Sequence, residues 1–222
     1  MQYSEILSLA TLRLDGRKYN EIRKIKYKIN LESSSSNFDG SCYLEQGLNK
    51  VLVYIKGPIE LQSKLNDVNT DKGIIQCSIS NAPFSGTDRK AKKNVDRRLQ
   101  EMENIVVETF ESVIMTELYP KSEIDIIVHI LESDGSIICT IVNAITMALL
   151  EAGISMTDMI ISCSVGRVNN QLYLDVTQLE QNSGIYLPVV MKSRSKDIIY
   201  MQVDNRITLD VLQLALNEVQ IG

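Results

Sequence analysis

The chain has 222 residues, 44% of them apolar and 23% charged, with a net charge of −5. That length suits one large domain over 1–222, or two halves sharing a core, and needs no disulfide or metal staple. The composition excludes wholesale disorder, and a pI near 5.1 excludes a uniformly basic nucleic-acid binder. No apolar run approaches the ~18 residues that cross a bilayer, and no membrane partner is expected. Residues 1–21 lack a basic stretch followed by an apolar one, so no secretion signal is expected, and residues 1–12 are expected to be flexible.

The first half reads mainly as strands. Residues 22–31 alternate, with basic side chains on one face, and 33–41 form a polar turn. Residues 41–46 and 50–57 read as a hairpin around 47–49, with Gly57-Pro58 ending the second strand. A polar loop is expected over 61–71, a strand over 73–80 and a Lys/Arg-rich loop over 83–94. Apolar residues at spacings of three and four predict one long helix over 96–118, stopped by Pro120.

A strand over 124–131 leads to a turn at Ser133-Asp134-Gly135. Residues 141–152 are apolar on most sides and predict a buried helix capped by Gly153. Strands follow over 158–165 and 171–176, around Asn169-Asn170, and over 185–192 and 197–203. A last helix spans 208–219 with Thr208 as N-cap. This order argues an α+β or α/β domain with helices layered on mixed sheets.

Cys42, Cys77, Cys139 and Cys163 are widely spaced among apolar neighbours, which favours buried reduced thiols over disulfides or a metal site. His129 is the one histidine and sits mid-strand, so Ser-His or Cys-His catalysis is not expected. No metal and no cofactor are expected.

Two basic stretches interrupt the acidic background. Arg13, Arg17, Lys18, Arg23, Lys24, Lys26 and Lys28 form one; Arg89, Lys90, Lys92, Lys93, Arg97 and Arg98 form the other. The second runs into a helix start, where cations oppose the helix dipole and a phosphate backbone would be welcome.

Four strings then resemble one family. LRLDGRKYNEIRKI is similar to the R-x-D-G-R-x-x-x-E-x-R opening of RNase PH-like proteins, and GSCYLEQGLNKVLVYIKGPIE to their strand pair. YPKSEIDIIVHILESDGS and VNAITMALLEAGISMTD resemble their next two segments, in the family's order from about Leu12 to Leu216. Among members, the eukaryotic counterpart of the archaeal catalytic exosome ring subunit looks nearest. The resemblance implies two β-α-β-α halves with helices between sheets, and a six-membered ring around an RNA channel. The last helix is expected to be short for the family, by nature or by trimming.

The resemblance also implies where chemistry would lie. Active members carry D-G-G-T-R before the second helix, and its Arg holds phosphate. Here the string is Asp134-Gly135-Ser136-Ile137-Ile138, with an isoleucine at the Arg position and only Ser136 and amides near Cys139 as weak donors. Active members also carry L-D-x-x-x-x-E-D followed by a distal D-M-P. Asp175 and Glu180 match; Gln181 replaces the next acid, and the distal acid falls near Tyr186. For Asp175 and Glu180 a structural or salt-bridging role is preferred to cation binding. Arg13, Asp15, Arg17, Glu21 and Arg23 are read as a salt-bridge network anchoring the N-terminal segment, a neighbouring subunit being one candidate anchor.

What the resemblance leaves is RNA contact. Arg97 and Arg98 match the family's RNA-facing pair, Arg89 matches F-S-x-x-x-R, and Lys64 lies on the channel loop; Lys90, Lys92 and Lys93 join them. The expected function is a non-catalytic ring subunit of a eukaryotic exosome, handling RNA in the nucleus, nucleolus and cytoplasm. The expected partners are other RNase PH-like subunits, S1- and KH-type cap proteins, a hydrolytic nuclease and single-stranded RNA, with self-association when isolated. The alternative is an active phosphate-dependent 3′-to-5′ exoribonuclease.

Overall fold

The computed structural model describes residues 12–31, 37–60, 72–86, 96–168 and 171–220. Its first sheet has the order β1-β2-β3-β5-β4, built from Ile25–Ile29, Gly40–Gln46, Asn49–Glu60, Ile74–Asn81 (β4) and Ser122–Glu132 (β5). Only β4 and β5 run parallel, and a parallel neighbour needs a crossover, which α1 (Arg97–Glu111) supplies. The second sheet has the order β7-β6-β8-β9, from Ile160–Val168 (β6), Gln171–Leu174 (β7), Ile185–Lys192 (β8) and Ile198–Met201 (β9). The remaining helices are α2 (Ile137–Ala152), α3 (Gln178–Ser183) and α4 (Leu209–Val219).

Alternation decides which way the first sheet faces. Val51, Val53 and Ile55 on β3 and Ile124, Ile126, Val128 and Ile130 on β5 are buried; the residues between them are half-buried. Met102, Val106 and Phe110 of α1 pack on that buried face beside α2. α2 is apolar nearly all round because it is covered nearly all round, by β2 and β3 on one side and by β6 and β8 on the other. Ala215 and Val219 of α4 cover the far face of the second sheet over Cys163, Val165, Leu174, Leu187 and Val189. The layers therefore run sheet, helices, sheet, helix. Truncating Ile145, fully buried in α2, to Ala should cost about 2–5 kcal/mol.

Several boundaries move against the sequence reading. β3 passes through a cis Gly57-Pro58 bond to Glu60 instead of stopping there, with its register against β5 shifting between Lys56 and Ile59. A shift is where a residue without an N–H fits a ladder. The long helix over 96–118 is two pieces. α1 ends at Glu111, Ile114 bridges Met156, and a 3-10 turn follows at Thr116–Leu118. Met115 N–H donates to Ser155 O and Thr157 N–H to Val113 O, so tertiary pairing wins over helix continuation at β-branched Val113 and Ile114. α2 begins at Ile137, one turn before 141. α3 was not anticipated, although Thr177 and Glu180 form a capping box that signals it. Residues 1–11, the 61–71 loop, most of the 83–94 loop and the Asn169-Asn170 turn lie outside the described residues.

Candidate functional site

Three connections meet at the start of α2. The first is Asp134-Gly135-Ser136, after β5, with φ of 75° at Gly135 and 54° at Ser136. A Cβ on Gly135 would stand 2.4 Å from Gln178 N, so glycine supplies both the left-handed backbone and the room for α3 to approach. Asn49, wholly buried at the start of β3, clamps this turn. Its Nδ2 donates to Gly135 O at 2.7 Å and to Thr140 Oγ1 at 3.0 Å, and its Oδ1 accepts from Asp134 N–H at 2.5 Å.

The second connection follows β7. Asp175, at φ 50°, donates its N–H to Ser164 O at 2.8 Å. Ser136 Oγ lies 2.5 Å from Ser164 Oγ and donates to Val176 O at 2.9 Å. Non-glycine residues at such φ cost about 1–3 kcal/mol each, and here the buried hydroxyl network holds both. The third connection brings Gln181 and Tyr186. Ser136 N–H donates to Gln181 Oε1 at 3.2 Å, and Tyr186 follows α3 near the start of β8. Burial holds the Tyr186 phenol well above its ordinary pKa.

The N-terminal segment closes the site from the other side. Arg13 Nε donates to Glu180 Oε1 at 2.8 Å, and its Nη atoms reach Glu180 Oε2, Leu174 O and Asp175 O. Arg23 holds both oxygens of Asp175 and donates to Asp134 O at 2.8 Å and Gly135 O at 3.3 Å. Arg17 lies 3.9 Å from Asp175 and 3.1 Å from Asp15. The network anticipated among these residues reaches Asp175 and Glu180 of the same chain.

Charges at the site are balanced pairwise. Burial alone would raise the pKa of Asp175, but the hydrogen bonds and charge of Arg23 outweigh it and hold the carboxyl below its ordinary value. Burial lifts Asp134 against the pull of Arg23. Arg17 is lowered by burial and then by the charge of Arg13, and its Nε is buried without a hydrogen-bond partner.

This donor set does not fit a divalent cation. The carboxylates of Asp175 and Glu180 are each gripped by a guanidinium, Gln181 presents a neutral amide, and Tyr186 keeps its proton. Ile138 is half-buried against the core, and Cys139 is buried with its thiol pushed up. The weak donor anticipated at Ser136 is engaged: its N–H serves Gln181 and its hydroxyl serves Val176.

So the structure gathers Ser136, Cys139, Asp175, Glu180, Gln181 and Tyr186 around the start of α2. Arg97 and Arg98 open α1 and are exposed; Asp96 caps the helix by accepting from Arg98 N–H at 3.2 Å, and Arg97 pairs with Glu101 at 3.5 Å. Lys64, Arg89, Lys90, Lys92 and Lys93 lie outside the described residues. The sequence reading did not single out Asn49, Ser164 or Gln178. Asn49 looks like any turn residue, and no spacing marks it as a buried clamp.

The profile of the 3′ exoribonuclease family, domain 1, matches residues 21–155, and that of domain 2 matches residues 158–217. The chain belongs to this RNase PH family. Within it, the chain is 36% identical to the exosome complex component ski6 of Schizosaccharomyces pombe, over 98% of this chain and 88% of that one. It is 37% identical to SKI6 of Saccharomyces cerevisiae, over 97% and 87%. It is 34% identical to the exosome complex component Rrp41 of Thermoplasma acidophilum, over 96% and 84%. The fold matches rice Rrp46, with a TM-score of 0.81 over 93% of this chain and 92% of that one at 20% identity. It also matches a chain of the Archaeoglobus fulgidus exosome with RNA bound to the active site, with a TM-score of 0.79 over 99% and 93% at 19% identity. The layered RNase PH fold expected from the motif order is the one found.

Proposed function

We propose that this RNase PH family member is a non-catalytic ring subunit of a eukaryotic RNA exosome core, working as one domain. It helps assemble the ring and guides single-stranded RNA in 3′-to-5′ processing and degradation. On this reading its neighbours are other RNase PH-like subunits, S1- and KH-type cap proteins and a hydrolytic nuclease, and it works in the nucleus, nucleolus and cytoplasm.

Membership of the ring is supported by exosome components of two yeasts and an archaeon that share 34–37% of their residues with nearly the whole chain. The observation that carries the loss of chemistry is one hydrogen bond. Ser136 N–H, at the helix start where a phosphate would be received, is bonded to Gln181 of the same chain. A phosphorolytic site needs an anion held there and an ionised acid beside it. Ile138 has no charge to offer, and Asp175 and Glu180 are committed to Arg23 and Arg13. RNA guidance rests on Arg97 and Arg98, exposed cations at a helix N-terminus with no acid in its first turn, together with Arg89, Lys90, Lys92, Lys93 and Lys64. Such contacts go to phosphates, so they are sequence-independent and weaken with salt.

The test is purification of the native protein from its own cells under mild conditions. The proposal expects other RNase PH-like subunits and a hydrolytic nuclease in equal amounts with it. A chain that elutes alone, or as a ring of its own copies only, contradicts it.

A further inference from the structure

α4 covers only part of the outer face of the second sheet. Cys163, Val165, Leu187 and Val189 lie under it. One step along the strands, Ile161, Met191 and Ile198 stand side by side across β6, β8 and β9. Ser162 donates its hydroxyl to Cys139 O of α2, so alternation turns Ile161 to the face away from α2. Met159 leads into this row, its carbonyl accepting from Ser193 N–H, and Met201 stands opposite Val189 in the next one. Met159, Ile161, Ile198 and Met201 are 45%, 48%, 43% and 38% exposed, and Met191 is half-buried among them. All residues over 153–168 and 185–208 are described, and none of them covers the row.

The shape of this face selects a helix. Three strands ~4.8 Å apart make a floor about 10 Å wide, the diameter of one helix. β8 is paired on both sides, so the floor offers side chains rather than free backbone. Three of the five side chains are methionines, whose flexible thioethers adapt to a partner's surface. The rim selects charge. The turn after β8 carries Arg194 and Lys196, both exposed. The acids beside them are already engaged. Asp158 accepts the N–H groups of Met159, Arg194 and Ser195, and Asp197 accepts the Ser195 hydroxyl at 2.6 Å. Among the described residues neither Arg194 nor Lys196 forms a salt bridge.

We infer that this face docks an amphipathic helix of a partner protein, one whose apolar stripe is flanked by Asp or Glu. The stripe lies over Ile161, Met191 and Ile198, with anchors at spacings of three and four, and the acids lie toward Arg194 and Lys196. A second copy of this chain is the poorer occupant. Two copies meeting through this face bring the same cations together at the rim, and like charges across an interface cost affinity. The face is on the opposite side of the second sheet from α2, so failure here leaves the reading of the ring and its RNA standing.

The experiment uses the full chain and two synthetic peptides of about fourteen residues, roughly four helical turns. Both carry leucines at spacings of three and four; glutamates flank them in one and lysines in the other. The acidic peptide should bind at least about tenfold more tightly, read by fluorescence anisotropy. In methyl NMR it should shift Met159, Met191 and Met201 and leave Met102, buried in α1, unmoved. Ile161→Gln with Ile198→Gln should abolish binding at an unchanged melting temperature, since both side chains are already about half exposed. Arg194→Glu with Lys196→Glu should reverse the peptide preference. Even if a variant melts early, the methyl shifts of the unaltered chain decide. No binding, equal binding of both peptides, or shifts away from these methionines would overturn the inference. So would the same shifts produced by raising the protein concentration alone, by a single-stranded RNA oligonucleotide, or by vesicles of anionic phospholipid.

Discussion

Arg23 grips Asp175 through both carboxylate oxygens, Nε to Oδ2 at 2.9 Å and Nη2 to Oδ1 at 2.6 Å, and adds its own backbone N–H to Oδ2 at 2.8 Å. The two residues are 152 positions apart and both buried. One contact thus ties the N-terminal segment to the second sheet, where the family pattern places an acid.

That pair sets the first prediction. Asp175→Asn leaves the Arg23 guanidinium buried without its counter-charge, and breaking a buried pair this way costs about 3–5 kcal/mol. The carboxyl is held below its ordinary pKa in the fold. Its contribution is therefore full above the unfolded value of ~3.9 and is lost as pH falls through the folded value. Denaturant titrations at several pH values should show the gap between wild type and variant closing below about pH 4. A gap that stays constant down to pH 2, on the same principle, would mean the pair is not what stabilises the site.

Gly135 gives the second. Gly135→Ala meets two penalties at once, a left-handed φ of 75° and a Cβ 2.4 Å from Gln178 N and 2.5 Å from Thr177 C. Strain and overpacking together should cost about 2–4 kcal/mol and loosen α3 first. Hydrogen exchange should quicken across Gln178–Ser183 more than across Ile137–Ala152. Uniform quickening would show that the turn does not position α3.

How far this site could be read from sequence depends on whether burial leaves a local trace. Alternation marks β3 and β5, and all-round apolarity marks α2, because each pattern records what covers that element. Val113 and Ile114 mislead for the same reason. They are buried at helical spacing, yet Val113 O accepts from Thr157 N–H and the next N–H, of Met115, goes to Ser155 O; spacing records burial without recording where the backbone hydrogen bonds go. Motif order singles out Asp175 and Glu180 as a pair of acids. It does not give their partners, since Arg13 and Arg23 lie more than 150 residues away and only the fold brings them in. Asn49 leaves no trace at all outside the folded chain.

The third prediction concerns the exposed arginines. Arg97→Glu with Arg98→Glu removes no core contact, and the Arg97–Glu101 pair is solvent-exposed and contributes little. Stability should hold while RNA affinity of the assembled complex falls, with a shallower dependence of log affinity on log salt by about two phosphate contacts. Unchanged affinity and slope would place the RNA path elsewhere.

The most direct measurement of the central claim is phosphorolysis itself. The pure protein, and the complex rebuilt around it, would be incubated with inorganic phosphate and a polyadenylate tail, and the products separated by charge. Losing one preorganised donor at such a site costs ~10²–10³ in rate. The proposed reading sets Ile138, Gln181 and Tyr186 at the family's ionised positions, and on it the account predicts no nucleoside diphosphate above background. Steady release of nucleoside diphosphates from the pure chain, dependent on added phosphate, would contradict it.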